Sequence, residues 1–287
     1  MRYPYSRKES FNVSNTPTDL SYVEYENSLA EGRKRFAFVD LNNFTRNMKS
    51  TLTNEGIPED LHKYFLVSLV LRHFNADRYY IYDAVESLDN PDDTIEELRS
   101  LPRMILRSTS LRHSPSGRRK QEGVDVKLAV DALQHSYRKS MSECMLFSGD
   151  GDFLPLLEAV VETGIVTTVV SFSDPNKGVV TPALRNASDF YIRIDMEMMV
   201  KTLDLPVRTL YHKNRRINQP GDGFYNASLE RVEIDGKSFD VLKKDNSWFL
   251  ILERSQHGTA KGLSGKSLDA VRLGFHILRS VYGYHHV

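Results

Sequence analysis

Short apolar runs alternate with segments of helical spacing along most of the chain. Residues 35–44, RFAFVDLNNF, read as a buried strand that ends in an aspartate and two asparagines. After Pro58, the positions Leu61, Phe65, Leu66, Leu69, Val70 and His73 recur at helical spacing, and residues 78–84 form the next strand. A short helix follows Asp92 and Asp93, with Ile95, Leu98 and Leu101 inward, then a strand over 104–111. The run from Gly123 to His135 predicts a helix whose inward face is Val126, Ala129, Val130, Leu133 and Tyr137, with Asp131 turned to solvent. The run CMLF at 144–147 is a strand, SGDGDF at 148–153 a glycine-bearing turn, and a helix opens near Pro155. A β-branched strand ends at Phe172, and a short helix from Leu184 with a strand over 190–194 closes the unit. Strands and helices alternating in this way imply an α/β fold, a mostly parallel sheet covered by helices on both faces.

The texture changes after Leu205-Pro206. A loop at 218–223 leads into a strand meander from Phe224 to Glu253, with turns at Asp235-Gly236 and at 244–246. An amphipathic helix over 267–281 then presents Leu268, Val271, Phe275 and Leu278 inward. The expected organisation is an N-terminal arm over 1–32, a domain over 33–205, and a small α+β module over 206–287.

Composition adds bounds. With 38 basic and 38 acidic residues the formal net charge is zero, so basic surface for a polyanion has to be local. Between Pro102 and Gln121 lie Arg103, Arg107, Arg112, Arg118, Arg119 and Lys120 with no acid among them, which is either a solvated loop or a phosphate-facing stretch. No run has the length of a membrane span or the apolar core of a signal peptide, so a cytoplasmic protein with no membrane partner is expected. The lone cysteine, Cys144, reads as a buried strand residue.

Four acids carry the candidate chemistry. Asp40, Asp125, Asp150 and Asp152 each stand at a strand end or a helix start, and in a doubly wound sheet such ends converge on one rim. Carboxylates clustered there repel one another unless a cation or a proton separates them, and a divalent metal is the first candidate. Hard oxygen donors without clustered His or Cys suit Mg2+ or Mn2+ and argue against zinc. Asn43 adds a neutral oxygen. Ser148 lacks a matched base and reads as a turn-stabilising residue. His285 and His286 read as an exposed tail, and Trp248 as core of the last module.

Four runs taken together, FVDLNNF at 38–44, GVDVKLAVDAL at 123–133, SGDGDFLPL at 148–156 and LRNASDF at 184–190, resemble the NYN domain of the LabA-like branch of the PIN-like nuclease superfamily. The likeness covers roughly residues 33–196, and it implies a PIN-like α/β/α fold. It further implies a metal-dependent nuclease acting on RNA, single-stranded or structured, with Asp40, Asp125, Asp150 and Asp152 as the acidic metal site and Asn43 as their polar neighbour. Asp131 and Asp189 match family positions as well. Family members often carry a lysine directly before the Gly-Val-Asp run; this chain has Glu122 there and Lys120 two residues earlier. On this reading Arg118, Arg119 and Lys120, with Asn43, are the candidate substrate contacts. A nucleic-acid-binding or regulatory module with little turnover is the alternative. An aspartate-nucleophile phosphatase fits less well, because Asn42 stands where its acid/base aspartate belongs. The module over 206–287 is read as a surface for RNA, a second copy or a protein partner, and its sequence does not choose.

Overall fold

The structure, a computed structural model, describes residues 18–20, 32–85, 93–110, 112–113, 119–120, 123–172, 180–203, 209–217, 219–255 and 258–283. Contacts divide the chain into two compact units, one of residues 1–51 with 71–195 and the other of 52–70 with 196–287.

The first unit is built on seven parallel strands. These are β1 (Thr18–Leu20), β2 (Arg35–Asp40), β3 (Arg78–Val85), β4 (Met104–Ser110), β7 (Glu143–Phe147), β8 (Val166–Phe172) and β9 (Phe190–Ile194), in the order β1-β9-β8-β7-β2-β3-β4. The short strands β5 (Arg112–His113) and β6 (Arg119–Lys120) form a separate antiparallel ladder. Every pairing in the large sheet is parallel, as the run of buried strands implied. Within the stretch read as an arm, Thr18–Leu20 pairs with the edge of β9.

Strand alternation sends successive side chains to opposite faces, and each face is covered. On one face, Phe36 and Phe38 of β2, Tyr80 and Tyr82 of β3, and Cys144 and Leu146 of β7 pack with helices α4 (Val124–Tyr137) and α5 (Leu154–Glu162). On the other, Phe44 of α1 (Leu41–Asn54) lies 4.7 Å from Phe172 and 5.8 Å from Phe147, ring centre to ring centre, and Phe74, just after α2 (Val67–His73), lies 5.0 Å from Phe147. Cys144 is buried, and desolvation pushes its thiol up to about 12.

Four local expectations change. β2 stops at Asp40, and Leu41 already begins α1, so Asn42 and Asn43 belong to a helical first turn rather than to the strand. The single helix expected after Pro58 is split into a 3-10 turn over Glu59–Tyr64 and α2, because Phe65 between them takes non-helical backbone (φ −97°, ψ 89°). Most consequentially, α4 buries a different face from the expected one. Val124, Leu128, Ala132 and Ser136 point inward, and of the expected face Ala129 and Leu133 do pack against the core, whereas Val126 is 66% and Tyr137 71% exposed and Val130 is exposed too. The fully buried positions form an adjoining strip of the same period with fewer large apolar side chains and a serine, so apolar content pointed only partly to the right side. Asp131 is not turned to solvent either: the buried Tyr82 hydroxyl donates to its Oδ2 at 2.9 Å, and Arg107 Nε stands 3.7 Å away. Asp189 is structural, accepting from Thr167 N at 2.8 Å where β8 and β9 begin.

The second unit has its own antiparallel sheet, β10 (Leu210–Arg216), β11 (Ser228–Ile234), β12 (Lys237–Lys244), β13 (Ser247–Arg254) and β14 (Thr259–Gly265), in the order β10-β14-β13-β12-β11. The turns fall where expected: Asp235 and Gly236 both have positive φ, as does Asp245. Helix α8 (Leu268–Ser280), capped by Ser267, packs Val271 and Phe275 onto Val241, Leu250 and Leu263, and Trp248 lies against this cluster. Segment 52–70 joins α8 through Tyr64, whose hydroxyl donates to Asp269 at 2.7 Å, and through Arg272 on Asp60 at 2.8 Å. Among the described residues no helix is long and apolar enough to cross a membrane.

The exchanged faces of α4 yield a direct check. Leu128→Ala should cost about 2–5 kcal/mol in denaturant unfolding, as an emptied core position does. Val126→Ala should stay within about 0.5 kcal/mol. Equal costs at the two positions would contradict the observed orientation of the helix.

Candidate active site

The site forms where the chain reverses its direction of travel across the sheet. From β2 the chain steps outward through β3 and β4; it then returns to β7, on the other side of β2, and steps outward through β8 and β9. The carboxyl ends of β2 and β7 therefore flank a crevice at the switch point, the usual ligand position in such sheets. Asp40 is the last residue of β2, and Ser148 to Asp152 follow β7 directly.

Local bonding fixes these residues. Asp40 is only 7% exposed, and its Oδ1 accepts from the backbone N–H of Asn43 at 3.1 Å, as an N-cap carboxylate does for a helix beginning at Leu41. The Ser148 hydroxyl donates to Asp40 Oδ2 at 3.3 Å and accepts from the Asp150 N–H at 3.2 Å. Asn43, equally buried, accepts at Oδ1 from the Gly149 N–H at 3.2 Å and from Asn47 Nδ2 at 2.8 Å. Asp150 caps the 3-10 turn over Gly151–Phe153, accepting from the Asp152 N–H at 3.1 Å. Gly151 is required by close approach: a Cβ there would stand 2.9 Å from Thr181 Cγ2. Asp125 sits in the first turn of α4, which Gly123 opens with φ +82°, a backbone region that favours glycine.

Among the described residues, the electrostatics are those of carboxylates that raise one another. Burial raises the Asp40 carboxyl to about 6; the Asn43 N–H and Ser148 hydroxyl oppose this, and the negative charges of Asp125 and Asp150 add to it. Asp125 is raised first by partial burial and then by Asp150 and Asp152. The neighbouring charges that act most on both groups are carboxylates.

The structure thus links Asp40, Asn43, Ser148 and Asp150 by hydrogen bonds, and couples Asp125 and Asp152 to them by charge. Arg119 and Lys120 lie in the ladder with Arg112 and His113. Arg118, His285 and His286 lie outside the described residues. Sequence reasoning missed Asn47 and Thr181. Asn47 is four residues after Asn43 and becomes visible once the helix is known to start at Leu41; Thr181 reaches Gly151 only through the tertiary fold.

Among the described residues, no three His, Cys, Asp or Glu side chains stand close enough to form a ready-made ion cage. The donors still fit a hydrated hard cation, since Mg2+ keeps several waters and is commonly held by one or two carboxylates. Zinc, which favours nitrogen and sulfur ligands, does not fit them.

A model of the NYN domain matches residues 34–198, a span that includes all four aspartates. The chain belongs to the NYN domain family. The NYN domain is a PIN-like nuclease domain, and the parallel sheet with its flanking helices is consistent with that assignment. No curated protein matches the chain. Among solved structures, a protein of unknown function from Vibrio parahaemolyticus is similar at 15% identity and a TM-score of 0.40, over 59% of this chain and 98% of that one. The spore cortex-lytic enzyme SleL of Bacillus cereus is similar at 8% identity and a TM-score of 0.25, over 86% and 68% of the two chains.

The state of Asp40 in this NYN chain sets a pH dependence. Its folded carboxyl, near 6, binds a proton more tightly than an ordinary aspartate at 3.8. The stability it contributes is therefore fully present below the ordinary value and is lost as pH rises through about 6. In metal-free protein, Tm should fall between about pH 4 and pH 7 with a steeper slope in the wild type than in Asp40→Asn, whose amide retains the cap. Thermal melts across that range check it, and parallel profiles would contradict it.

Proposed function

We propose that this NYN protein is a metal-dependent ribonuclease that hydrolyses RNA phosphodiester bonds at the crevice between β2 and β7. The observation that carries the reading is the buried Asp40 at the switch point of the sheet, held by Asn43 and Ser148 and raised by burial and by the charges of Asp125 and Asp150. Among the described residues the charges that act most on Asp40 and Asp125 are negative, and a divalent cation bound next to a phosphodiester would offset them. Asp40, Asp125, Asp150 and Asp152 would hold Mg2+ or Mn2+ among them. When bound, the ion supplies Lewis-acid charge at the phosphate and lowers the pKa of water.

The chain's own residues do the positioning. Asp40 cannot swing away, because Asn43 N–H and Ser148 Oγ each hold one of its oxygens. The Asn43–Gly149 bond locks the acidic turn to α1, and Asn47 fixes the Asn43 amide. Asp125 and Asp152 are the exposed members, placed to accept a hydrogen bond from an attacking water. No covalent nucleophile is required, and Ser148 serves the loop. The basic residues Arg118, Arg119 and Lys120 complete the reading as contacts to RNA phosphates. We place the protein in the cytoplasm.

Purified protein incubated with labelled RNA, single-stranded DNA and a phosphomonoester should cut RNA in Mg2+ or Mn2+ and stop on chelation. Asp150→Asn should lower cleavage about 100-fold or more while leaving the melting transition in place. RNA that is bound but never cut under these conditions would overturn the hydrolytic reading in favour of a binding module.

A further inference from the structure

The acidic crevice occupies one rim of the parallel sheet, and the opposite rim carries the reverse charge. Lys34, Arg78 and Arg103 stand at or just before the starts of β2, β3 and β4, which are adjacent in the sheet. Arg72 in the last turn of α2 joins them, as do Arg138 and Lys139 directly after α4. Backbone bonds draw these segments together: the Ser142 N–H donates to Lys34 O at 2.9 Å, the Asp77 N–H to Arg35 O at 2.9 Å, and the Tyr79 N–H to Arg103 O at 2.8 Å. Two side chains beneath the rim feel the convergence. Burial pushes the Tyr79 hydroxyl up, and the Ala76 N–H and then the charges of Arg35, Arg103 and Arg72 oppose it. Burial pulls His135 down, Asp131 opposes this, and Arg138 and Arg78 add to it.

Lys34, Arg72, Arg78, Arg103, Arg138 and Lys139 are all exposed, and among the described residues none of them is paired with a carboxylate. Their contacts are with neutral groups. Arg78 lies over the Phe36 ring at 5.8 Å, Arg103 donates to Asn75 Oδ1 at 3.4 Å, and Lys139 donates to the Thr163 carbonyl. The sheet of the second unit treats its cations differently: Arg231 and Arg254 pair with Asp240, Lys243 with Glu230, and Lys261 with Glu253. The acids at the starts of β2, β3, β4 and β7 are Asp77, which accepts from the Arg35 N–H at 2.8 Å, and the buried Glu143, which takes the Thr168 hydroxyl at 2.7 Å.

Helix ends account for part of this pattern. A helix carries about half a negative charge at its carboxyl end, which Arg72 and Arg138 complement. Strand starts carry no such dipole, so Lys34, Arg78 and Arg103 are left over. In a chain of zero formal net charge, a local surplus of this kind is a surface for a polyanion. A phosphodiester backbone fits it, because it brings one charge per nucleotide wherever it lies, and a guanidinium meets phosphate oxygens two at a time. An acidic protein would have to place separate carboxylates over strand starts and helix ends alike.

We propose that this rim, through Lys34, Arg72, Arg78, Arg103, Arg138 and Lys139, holds the RNA backbone at a second contact about 20 Å, one strand length, from the acidic crevice. The choice of RNA rests on the reading of the crevice as a phosphodiester-cleaving centre. The contact itself needs neither metal nor a particular base.

The test is fluorescence anisotropy of the full chain with a labelled single-stranded oligoribonucleotide in chelator, titrated across salt. Arg72→Gln with Arg78→Gln and Arg138→Gln should weaken binding about tenfold or more. The slope of log affinity against log salt should flatten by about 2, as the loss of phosphate contacts worth about 0.7 each requires. Arg231→Gln with Lys243→Gln in the second unit should change neither quantity. Melting curves verify folding; if the triple variant melts early, Lys34→Gln with Lys139→Gln replaces it and should flatten the slope by about 1.4. No binding of RNA, an unchanged affinity and slope, or an equal loss from the second-unit pair would overturn the proposal. So would polyglutamate bound as tightly as RNA, which would assign the rim to an acidic protein. Hydrolysis is scored separately in Mg2+ and Mn2+: rim-dependent affinity without cleavage defeats the catalytic reading alone, and cleavage with affinity indifferent to the rim defeats this contact alone.

Discussion

A carboxylate held where water cannot screen it organises the first unit of this protein. Asp40 terminates a buried strand, caps the helix that follows, and takes a hydroxyl from the turn after the neighbouring strand. Burial raises its proton affinity despite two hydrogen bonds that favour the ionised form, so desolvation wins over local bonding. An N-cap acid needs none of that burial, and an exposed one would cap the helix equally well. The additional negative charges of Asp125 and Asp150 make the arrangement intelligible as one half of an ion site.

The fold converts this local conflict into a place for chemistry. A parallel sheet delivers all its strand ends to one rim, and the reversal between β2 and β7 leaves a crevice there rather than a connection. The bonds that hold the crevice are short in range but cross from one strand end to the other, through Asn43 to Gly149 and Ser148 to Asp40. Gly151 lets the turn close against Thr181, so the geometry of the acids depends on a residue far along the chain. The second unit stands on a separate core of antiparallel strands under α8 and contributes none of the four acids.

Much of this was legible in the sequence because the signals are local. Uninterrupted apolar runs marked the buried strands, an Asp-Gly pair marked the hairpin at Asp235-Gly236, and an Asp-Asn pair the one at Asp245. The four acids stood out because each lies at an element boundary. What was not legible depended on choices between equivalent patterns. Helix α4 has two stripes at the same period, and only the tertiary position of the sheet decides that Leu128, not Val126, turns inward. Asp131 reads as solvated until Tyr82 on the opposing strand is seen to donate to it. The start of α1 was hidden because LNNF extends a strand as plausibly as it opens a helix. Its asparagine pair gained meaning only once Asp40 was seen as a cap. Of the face that apolar content marks as core, Ala129 and Leu133 pack inward, and Val126, Val130 and Tyr137 are exposed.

The account rests on the claim that Asp40 and its neighbours form a cation site. Isothermal titration of Mn2+ into the metal-free protein measures this directly, with no nucleic acid and no turnover required. The account predicts saturable binding that weakens about tenfold or more in Asp40→Asn, with proton release near pH 6 as the raised carboxyl ionises. Binding of equal strength in the wild type and in Asp40→Asn would contradict it.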